Sequence, residues 1–179
     1  TNTFGASPRK LAKSAYTLEE VVAAGVACCK RACQPFGALT ALDIGPLGEL
    51  LEPIGTVPFE SAVADFARIV RAGAAAGADL VVVETFTDLY ELKAALLAVK
   101  ENCNLPVLAS MSFEADGRTF TGCTVESFAA TARGLGADAL GINCSLGPKE
   151  ILPMARRLAA ALPGDFPVFV KPNAGLPRA

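Results

Sequence analysis

Asp79-Leu-Val-Val-Val-Glu-Thr85 is a continuous apolar block that ends in a carboxylate and a hydroxyl. A run of this kind, rich in β-branched residues, is typical of a strand buried on both faces of a parallel sheet. The segment Phe59–Ala76 before it has apolar residues at helical spacing, and Gly77 stands where a helix-ending glycine belongs. After it, Asp88-Leu-Tyr-Glu91 has the pattern of a capping box that opens a helix to about Lys100. The block therefore predicts a helix–strand–helix unit.

The same unit recurs along the chain. Comparable strand patterns, the first of them weaker, are Gly37–Gly45, Pro106–Phe113, Ala139–Ser145 and Pro167–Asn173. Further helices are predicted after the N-cap pattern Ser7-Pro8, from Thr17-Leu-Glu-Glu20 to about Cys33, from Thr124 to about Leu135 and from Pro148 to about Leu162. Two Gly-Ala-Asp triplets, at 77–79 and 136–138, each join a helix end to a strand start. Strict alternation of helices and strands predicts a parallel sheet.

Two features favour a barrel over a doubly wound sheet. No strand is followed by the glycine fingerprint that binds nucleotides in doubly wound folds. Polar residues instead gather at the strand ends, where a (β/α)8 barrel builds its active site; they are Asp43, Glu84, Thr85, Ser112, Glu114, Asn143, Cys144, Lys171 and Asn173. A complete barrel needs roughly 250 residues, whereas the chain has 179. We therefore expect one incomplete (β/α)8 TIM barrel domain over residues 1–179, with about five parallel strands and with the first strand and last units missing.

Composition and charge exclude several functional classes. The net charge is −2, so nothing indicates binding to nucleic acid or to an anionic membrane surface. The hydrophobic fraction is 52% and the mean hydropathy is +0.41, yet no apolar run approaches the roughly 18 residues of a membrane span. We expect a soluble, cytoplasmic protein with reduced thiols. The chain has no histidine, which excludes Ser-His-Asp and Cys-His catalysis and any histidine-ligated metal.

Cys144 is the strongest candidate for chemistry. It ends a predicted strand and is soon followed by Pro148, the predicted start of a helix. Unpaired N–H groups at a helix start favour a thiolate, and a thiolate is what zinc binds. The alternative interpretation is a small buried hydrophobic residue at a strand end.

The other cysteines are interpreted as structural or incidental. Cys28 and Cys29 lie in mid-helix, where neighbouring side chains point about 100° apart and chelate one ion poorly. Cys33 follows Cys29 by one helical turn, but no strand-end residue joins them. Cys103 and Cys123 are interpreted as plain thiols.

Three further strand-end residues are candidates for binding or catalysis. Glu84 follows a buried apolar run, so it either faces a cationic substrate group or is a paired structural carboxylate. Asn173 either contributes a hydrogen bond at the barrel mouth or is a simple turn residue. Lys171 could form a Schiff base, although a lysine at a strand end is more often an ion-pair partner.

The motifs around these residues resemble homocysteine S-methyltransferase domains, in particular the homocysteine-binding domains of cobalamin-dependent methionine synthases. The resemblance rests on segments that occur in the family's order: Thr1-Asn-Thr-Phe-Gly-Ala6, Asp43-Ile-Gly-Pro46, Glu84-Thr-Phe-Thr-Asp88, Gly141-Ile-Asn-Cys-Ser-Leu-Gly-Pro148 and Lys171-Pro-Asn-Ala-Gly-Leu-Pro177. It covers the whole chain, and the family fold is a (β/α)8 barrel.

The resemblance implies specific roles for several residues. Cys144 matches one zinc-binding cysteine of the family, whose other zinc ligands lie in a later Gly-Gly-Cys-Cys-Gly motif that this sequence lacks. Glu84 is implied to hold the amino group of homocysteine, and Asn173 to lie at the metal. Thr1 is implied to line the substrate pocket. The family's opening strand is also absent from the sequence.

The resemblance also implies a chemistry that needs no histidine. A free thiol has a pKa of about 8.5, and zinc removes its proton, so bound homocysteine becomes a thiolate nucleophile that takes a methyl group and becomes methionine. The implied cofactors are zinc and, in cobalamin-dependent relatives, methylcobalamin as methyl donor. The implied partners are homocysteine and the cobalamin and folate domains of a larger parent protein. The sequence does not decide the methyl donor, and the chain is expected to be inactive alone.

Two alternatives stay open at this point. One is a barrel lyase or aldolase that uses Lys171, although no glycine-rich phosphate loop supports it. The other is a non-catalytic fragment that forms a homo-oligomer through open sheet edges, since unpaired edges favour association.

Overall fold

The computed structural model describes residues 1–175. Helices and strands alternate as the sequence predicts, and the predicted bounds agree with the observed ones to within about two residues at most helix ends. The elements are α1 Leu18–Cys33, β1 Ala41–Ile44, α2 Phe59–Ala75, β2 Leu80–Phe86, α3 Leu89–Asn102, β3 Val107–Met111, α4 Val125–Gly134, β4 Ala139–Asn143, α5 Pro148–Ala160 and β5 Val168–Lys171. A short 3₁₀ turn, Gln34–Phe36, follows α1.

The five strands form one parallel sheet in the order β1-β2-β3-β4-β5. Each crossover moves to the next strand in the same direction, whereas a doubly wound sheet reverses direction at its switch point. Crossovers of one hand then place the connecting helices on one face of the sheet. The sheet is therefore an incomplete barrel of the predicted (β/α)8 class.

The helix-covered face of the sheet carries the core. Leu42 and Ile44 of β1 and Val81 and Val83 of β2 are fully buried. The helix α2 approaches β1 so closely that a Cβ at Gly73 would lie 2.4 Å from a Leu42 methyl carbon. Residues on the opposite face, which is the interior of a barrel, alternate with these and are only half-buried at the β1–β2 side.

The two Gly-Ala-Asp triplets share one geometry. Gly77 and Gly136 have φ of 85° and 83°, the left-handed conformation that ends a helix and that glycine adopts without a steric penalty. Asp79 then accepts a hydrogen bond from the N–H of Thr40 at 2.7 Å, and Asp138 accepts one from the N–H of Val107 at 2.8 Å. Each triplet therefore ends a helix and fixes the new strand to the start of the preceding one.

The two predicted capping boxes differ in the structure. Thr17 accepts from the Glu20 N–H, and Glu20 accepts from the Thr17 N–H, so this box is confirmed. Asp88 caps α3 alone, because the Glu91 carboxylate turns away and accepts from the Leu47 N–H at 2.7 Å. Glu91 thus fastens the loop after β1 to α3, and the reciprocal box predicted there is wrong.

The N-terminal residues also differ from the prediction. Ser7 accepts from the Lys10 N–H, but residues 8–13 form turns and not the predicted helix. Residues 1–3 lie along β1 instead, where the Thr1 amino group donates to the Ala41 carbonyl at 3.0 Å and the Thr3 hydroxyl donates to the Asp43 carbonyl at 2.7 Å. Within residues 1–175, no helix is long and apolar enough to cross a membrane.

Candidate functional site

The candidate site lies at the carboxyl ends of the strands, on the face that the helices leave uncovered. Asp43 is in register with Val82, and Glu84 follows Val82 by two residues, so the two carboxylates project from the same face of the sheet. Asn143 is in register with Lys171 on the other side of the sheet. The side chains of four strands therefore converge on one mouth.

Asn143 is the most strongly connected residue of this mouth. Its side chain is buried, and its Oδ1 accepts from the Ser110 hydroxyl at 2.8 Å and from the Thr85 N–H at 3.1 Å. Its Nδ2 donates to the Thr85 hydroxyl at 2.6 Å and to the Cys144 sulfur at 3.2 Å. The Ser112 hydroxyl donates to its backbone carbonyl at 2.8 Å. One amide therefore joins β2, β3 and β4 and directs a donor at the thiol.

The backbone at the strand ends is unusual. Thr85, Cys144 and Ser145 have φ of 65°, 61° and 56°, a left-handed conformation that is uncommon for residues with side chains and disfavoured for β-branched threonine. The register of β2 on β3 also shifts between Val83 and Phe86. Strain and bulges of this kind recur at functional sites, where surrounding contacts hold a side chain in a required direction.

Cys144 lies just past β4 in this strained segment. Its N–H donates to the Lys171 carbonyl at 3.1 Å, and its sulfur lies 3.8 Å from the Thr85 hydroxyl. The helix α5 begins at Pro148 as predicted, with Gly147 as N-cap. The thiol is half-buried and free. Its predicted role as a metal ligand stays a prediction.

Glu84 forms an ion pair with Lys171 across the mouth. The Glu84 side chain is 18% exposed, whereas that of Lys171 is 56% exposed. Glu84 is therefore the largely desolvated partner and Lys171 the solvent-exposed one. This agrees with the interpretation of Lys171 as an ion-pair lysine, and it leaves the role of Glu84 toward a substrate as a prediction.

Asp43 is a further acidic group of the mouth. Its Oδ1 is buried and has no hydrogen-bond partner among the described residues. Burial raises the pKa of Asp43, and the nearby Glu84 carboxylate raises it further, while Lys171 and the chain's amino group oppose the shift. A buried acceptor without a donor is costly, and it favours an incoming donor or cation.

Thr1 and Asn173 lie at opposite sides of the mouth. The Thr1 hydroxyl accepts from the Asp43 N–H at 3.0 Å, so Thr1 is close to the acidic side. The Asn173 N–H donates to the Leu146 carbonyl at 3.0 Å, which ties the segment after β5 to the segment after Cys144. Their predicted contacts with substrate and metal stay predictions.

The other cysteines lie outside the mouth. Cys28, Cys29 and Cys33 belong to α1, whose C-terminal end faces the opposite edge of the sheet. Cys123 is half-buried, and burial raises its pKa to about 11. Over residues 1–175, no three Cys, Asp or Glu side chains are grouped so that they could hold a metal ion.

Not every strand-end residue predicted from the sequence reaches the mouth. Glu114 is exposed in a turn, where its N–H pairs with the Arg118 carbonyl. A groove of about 530 Å³ between α3 and the loop before α4 is also separate from the mouth, and it is lined by Asp88, Tyr90 and Lys93 among others. The volume of a groove alone therefore does not identify the candidate site.

Two contacts of the mouth were missed in the sequence. The sequence predicts Ser110 only as part of a strand, although its alternation with Ser112 places both on the inner face. It likewise predicts Gly141 only as a strand residue, but a Cβ there would lie 2.5 Å from the Phe169 ring. The absent side chain leaves room for the half-buried ring of Phe169, the β5 residue in register with Gly141.

A parallel barrel-type sheet with its polar mouth at the strand ends defines the class of α/β-barrel proteins. A sequence profile of the homocysteine S-methyltransferase family matches residues 1–179. The chain belongs to the homocysteine S-methyltransferase family.

Two relatives in sequence are methionine synthases. The methionine synthase of Mycobacterium tuberculosis (strain ATCC 25618 / H37Rv) is 29% identical over 189 aligned positions, which cover 99% of this chain and 16% of the relative. That of Mycobacterium leprae (strain TN) is 38% identical over 106 positions, covering 56% of this chain and 9% of the relative. The chain thus spans a small part of the length of these relatives.

Solved structures agree on the fold. The homocysteine methyltransferase MmuM from Escherichia coli in its metallated form superposes with a TM-score of 0.86 at 20% identity, covering 98% of this chain and 66% of MmuM. Its apo form gives a TM-score of 0.76 at 22% identity, with 88% and 61% covered. At this identity the similarity establishes the fold.

Proposed function

We propose that the chain forms part of a homocysteine S-methyltransferase domain of a methionine synthase-like enzyme. The observation that carries the proposal is the pairing, at one barrel mouth, of a half-buried free thiol at Cys144 with the acidic pair Glu84 and Asp43. Homocysteine needs both features, because it presents an ammonium group and a sulfur that has to be activated. The membership of the chain in the family supports this assignment.

The acidic side of the mouth suits the amino group of the substrate. Lys171 engages Oε2 of Glu84, and the Oδ1 of Asp43 has no donor within the described chain. The ammonium group of homocysteine would donate to Asp43 and to the remaining Glu84 oxygen, which supplies the missing donor. Lys171 then stays close enough to attract the substrate carboxylate. Thr1, which contacts Asp43, would line this side.

The thiol side suits a metal-bound sulfur only in part. Cys144 is one soft ligand of the type zinc prefers, and the Asn143 amide holds it in place from 3.2 Å. Asn173 lies beside the same segment. Residues 1–175 offer no complete ligand set. A complete site would take further thiolates from outside the described residues, and we propose that this chain alone binds zinc weakly and is inactive.

When zinc is bound, it supplies a thiolate from the homocysteine thiol at neutral pH. The chain's own residues do the positioning. Glu84 and Asp43 hold the ammonium end, and the Asn143 network fixes the Cys144 sulfur relative to them. The methyl donor would come from outside this domain. If the larger cytoplasmic parent is a cobalamin-dependent methionine synthase, we propose that the donor is methylcobalamin and that the parent's other domains bind cobalamin and folate.

The lyase alternative gains no support. Lys171 is held as the cationic partner of Glu84 and is more than half exposed, whereas a Schiff-base lysine has to act as a neutral, desolvated amine.

Cobalt(II), a spectroscopic substitute for zinc, tests the proposal. The background variant should carry serine at Cys28, Cys29 and Cys33, which removes the thiols of α1. A thiolate absorption band should then appear with cobalt(II) and strengthen on addition of L-homocysteine. Cys144→Ser should abolish the band, while the control Cys103→Ser, whose thiol bonds the Val99 carbonyl, should leave it unchanged.

Two results would count against the proposal. A cobalt band that persists in Cys144→Ser would show that Cys144 is not a ligand. A band that does not change when homocysteine is added would contradict binding of homocysteine at this site. Tight stoichiometric zinc after purification without added metal, lost on Cys144→Ser, would contradict the incomplete ligand set.

A further inference from the structure

A pair of thiols in contact lies at the end of α1, away from the candidate site. Cys29 and Cys33 are one helical turn apart, and their sulfur atoms are separated by 3.8 Å. Both side chains are half-buried, and both thiols are free. The Cys33 sulfur also lies 3.7 Å from the Leu39 carbonyl, just before β1 begins. The pair is therefore at the edge of the sheet where strands start, opposite the mouth.

We propose that Cys29 and Cys33 form a reversible disulfide, a thiol-exchange site that is independent of the proposed methyltransferase function. Helix geometry puts Cα atoms four residues apart at about 6.2 Å, inside the range of roughly 4.4–6.8 Å that disulfides span. The sulfur atoms have to close from 3.8 Å to a bond of about 2.0 Å. The Cβ atoms, about 5–6 Å apart at this helical spacing, have to approach to about 3.5–4.5 Å, so the last turn of α1 has to rearrange locally.

The position of the pair at the helix end lowers the free energy needed to rearrange the backbone. Cys33 is the last residue of α1, and the chain continues directly into the 3₁₀ turn Gln34–Phe36. The last turn of a helix opens readily because few hydrogen bonds hold it, so the backbone there can rearrange to bring the two cysteines closer. A bridge in mid-helix would strain residues on both sides, whereas this one strains only a terminus.

The chemistry requires a disulfide oxidant of low molecular mass, such as oxidised glutathione. One cysteine thiolate attacks the oxidant and forms a mixed disulfide, which releases the first reduced thiol. The thiolate of the second cysteine then attacks the protein sulfur of the mixed disulfide and releases the second reduced thiol. The protein loses two protons and two electrons, and the oxidant becomes two thiols. A dithiol that reduces the protein disulfide reverses the step.

Three of the other four thiols are less suited to this exchange, and the fourth, Cys144, belongs to the mouth. Cys123 is hindered because burial raises its pKa to about 11, which leaves little thiolate at neutral pH. The Cys103 thiol is engaged by the Val99 carbonyl at 3.5 Å. Cys28 is exposed next to Cys29, but its sulfur faces Arg31 at 3.1 Å and not Cys33.

Peptide mapping of the oxidised 179-residue chain tests the proposal. Oxidised glutathione is added, free thiols are blocked with N-ethylmaleimide, and the protein is cut with trypsin. Lys30 and Arg31 separate the two cysteines, so the disulfide should join peptides 14–30 and 32–68, and it should lower the intact mass measured before blocking by about 2 Da. Reduction should restore both thiols.

Serine variants decide which thiols are involved. The cross-linked peptide should be lost in Cys29→Ser and in Cys33→Ser and retained in the matched control Cys28→Ser, with circular dichroism confirming that α1 stays helical. A cross-link that survives Cys29→Ser would assign the bond to Cys28 and overturn the proposal. Wild-type protein that carries only glutathione adducts would overturn it as well.

Discussion

The Asn143 side chain makes the hydrogen bonds that organise the candidate site. Its buried amide forms hydrogen bonds with four polar groups and thereby connects three strands. The groups are the Thr85 N–H, the Thr85 hydroxyl, the Ser110 hydroxyl and the Cys144 sulfur. The strained backbone at Thr85 and Cys144 persists because these bonds hold it. The sequence places Asn143 at a strand end, but only the fold shows that its side chain points at neighbours within the barrel and positions the thiol.

Replacing Asn143 should therefore destabilise the chain. Asn143→Ala leaves the buried Ser110 hydroxyl and the Thr85 N–H without partners, so we expect a loss of about 2–4 kcal/mol in the free energy of unfolding. Urea denaturation measures it. The matched control Asn104→Ala, at an exposed position, should change stability by less than about 0.5 kcal/mol; equal effects of the two variants would refute the network's importance.

Glu84 should separate ligand binding from stability. Glu84→Gln releases Lys171, an exposed partner, so the free energy of unfolding should change by less than about 1 kcal/mol. The cobalt(II) response to homocysteine should weaken by at least about tenfold, since a lost charge-assisted hydrogen bond costs about 1.5–3 kcal/mol. Glu114→Gln, at an exposed turn, is the control, and an equal loss of response there would contradict the assignment of Glu84.

At the scale of elements, the sequence predicts nearly everything that local patterns determine. The Val81–Val83 run, the Thr17 cap and the glycines at 77 and 136 predict strand, helix start and helix end correctly, because each pattern acts within one turn or one strand. The helix predicted after Ser7 is a local miss, since residues 8–13 form turns. The other misses are long-range. Glu91 leaves its own helix cap for Leu47, and the Glu84–Lys171 pair spans β2 to β5. Residue spacing in the sequence does not predict such contacts, since they depend on how the barrel curves.

Glu91 makes the attachment of the β1–α2 loop sensitive to pH. Burial raises its pKa from 4.5 to about 7, so the folded chain binds the proton more tightly than the unfolded chain. The stabilisation that results from tighter proton binding by Glu91 in the folded chain is fully present below pH 4.5 and is lost as the pH rises through about 7. Between pH 5 and pH 7.5, Glu91→Gln should lose less stability in urea than wild-type protein does. A pH dependence identical to that of the wild type, or to that of the exposed control Glu101→Gln, would contradict this origin.

Two glycine-to-alanine changes should have opposite signs. Gly77→Ala forces a side chain into the left-handed conformation and should destabilise the chain by about 1–2 kcal/mol. Gly134→Ala lies in α4 with open space around its Cβ and should stabilise by about 0.5–1 kcal/mol through reduced entropy of the unfolded chain. Thermal denaturation measures both, and destabilisation by Gly134→Ala would refute the account of helix ends.

At the scale of the molecule, the two edges of the sheet differ. Thr1 and Thr3 occupy polar groups along β1, whereas Val168 and Val170 of β5 are 37% and 39% exposed. An exposed apolar edge strand favours pairing with another chain. We expect the isolated chain to self-associate through β5, and Val170→Lys should shift sedimentation toward monomer. The exposed helix residue Leu152 gives a control, Leu152→Lys, and a wild-type chain that is monomeric at high concentration would contradict the expectation.

The most direct test of the central claim is where L-homocysteine binds. Amide chemical shifts of the isotope-labelled chain, recorded with zinc present, should change on titration at 43–45, 84–86 and 143–147, the segments that end β1, β2 and β4. Glu84→Gln should reduce these changes, because the ammonium group loses a carboxylate. Changes confined to other surfaces, or a full response in Glu84→Gln, would contradict the claim that this mouth is the homocysteine site.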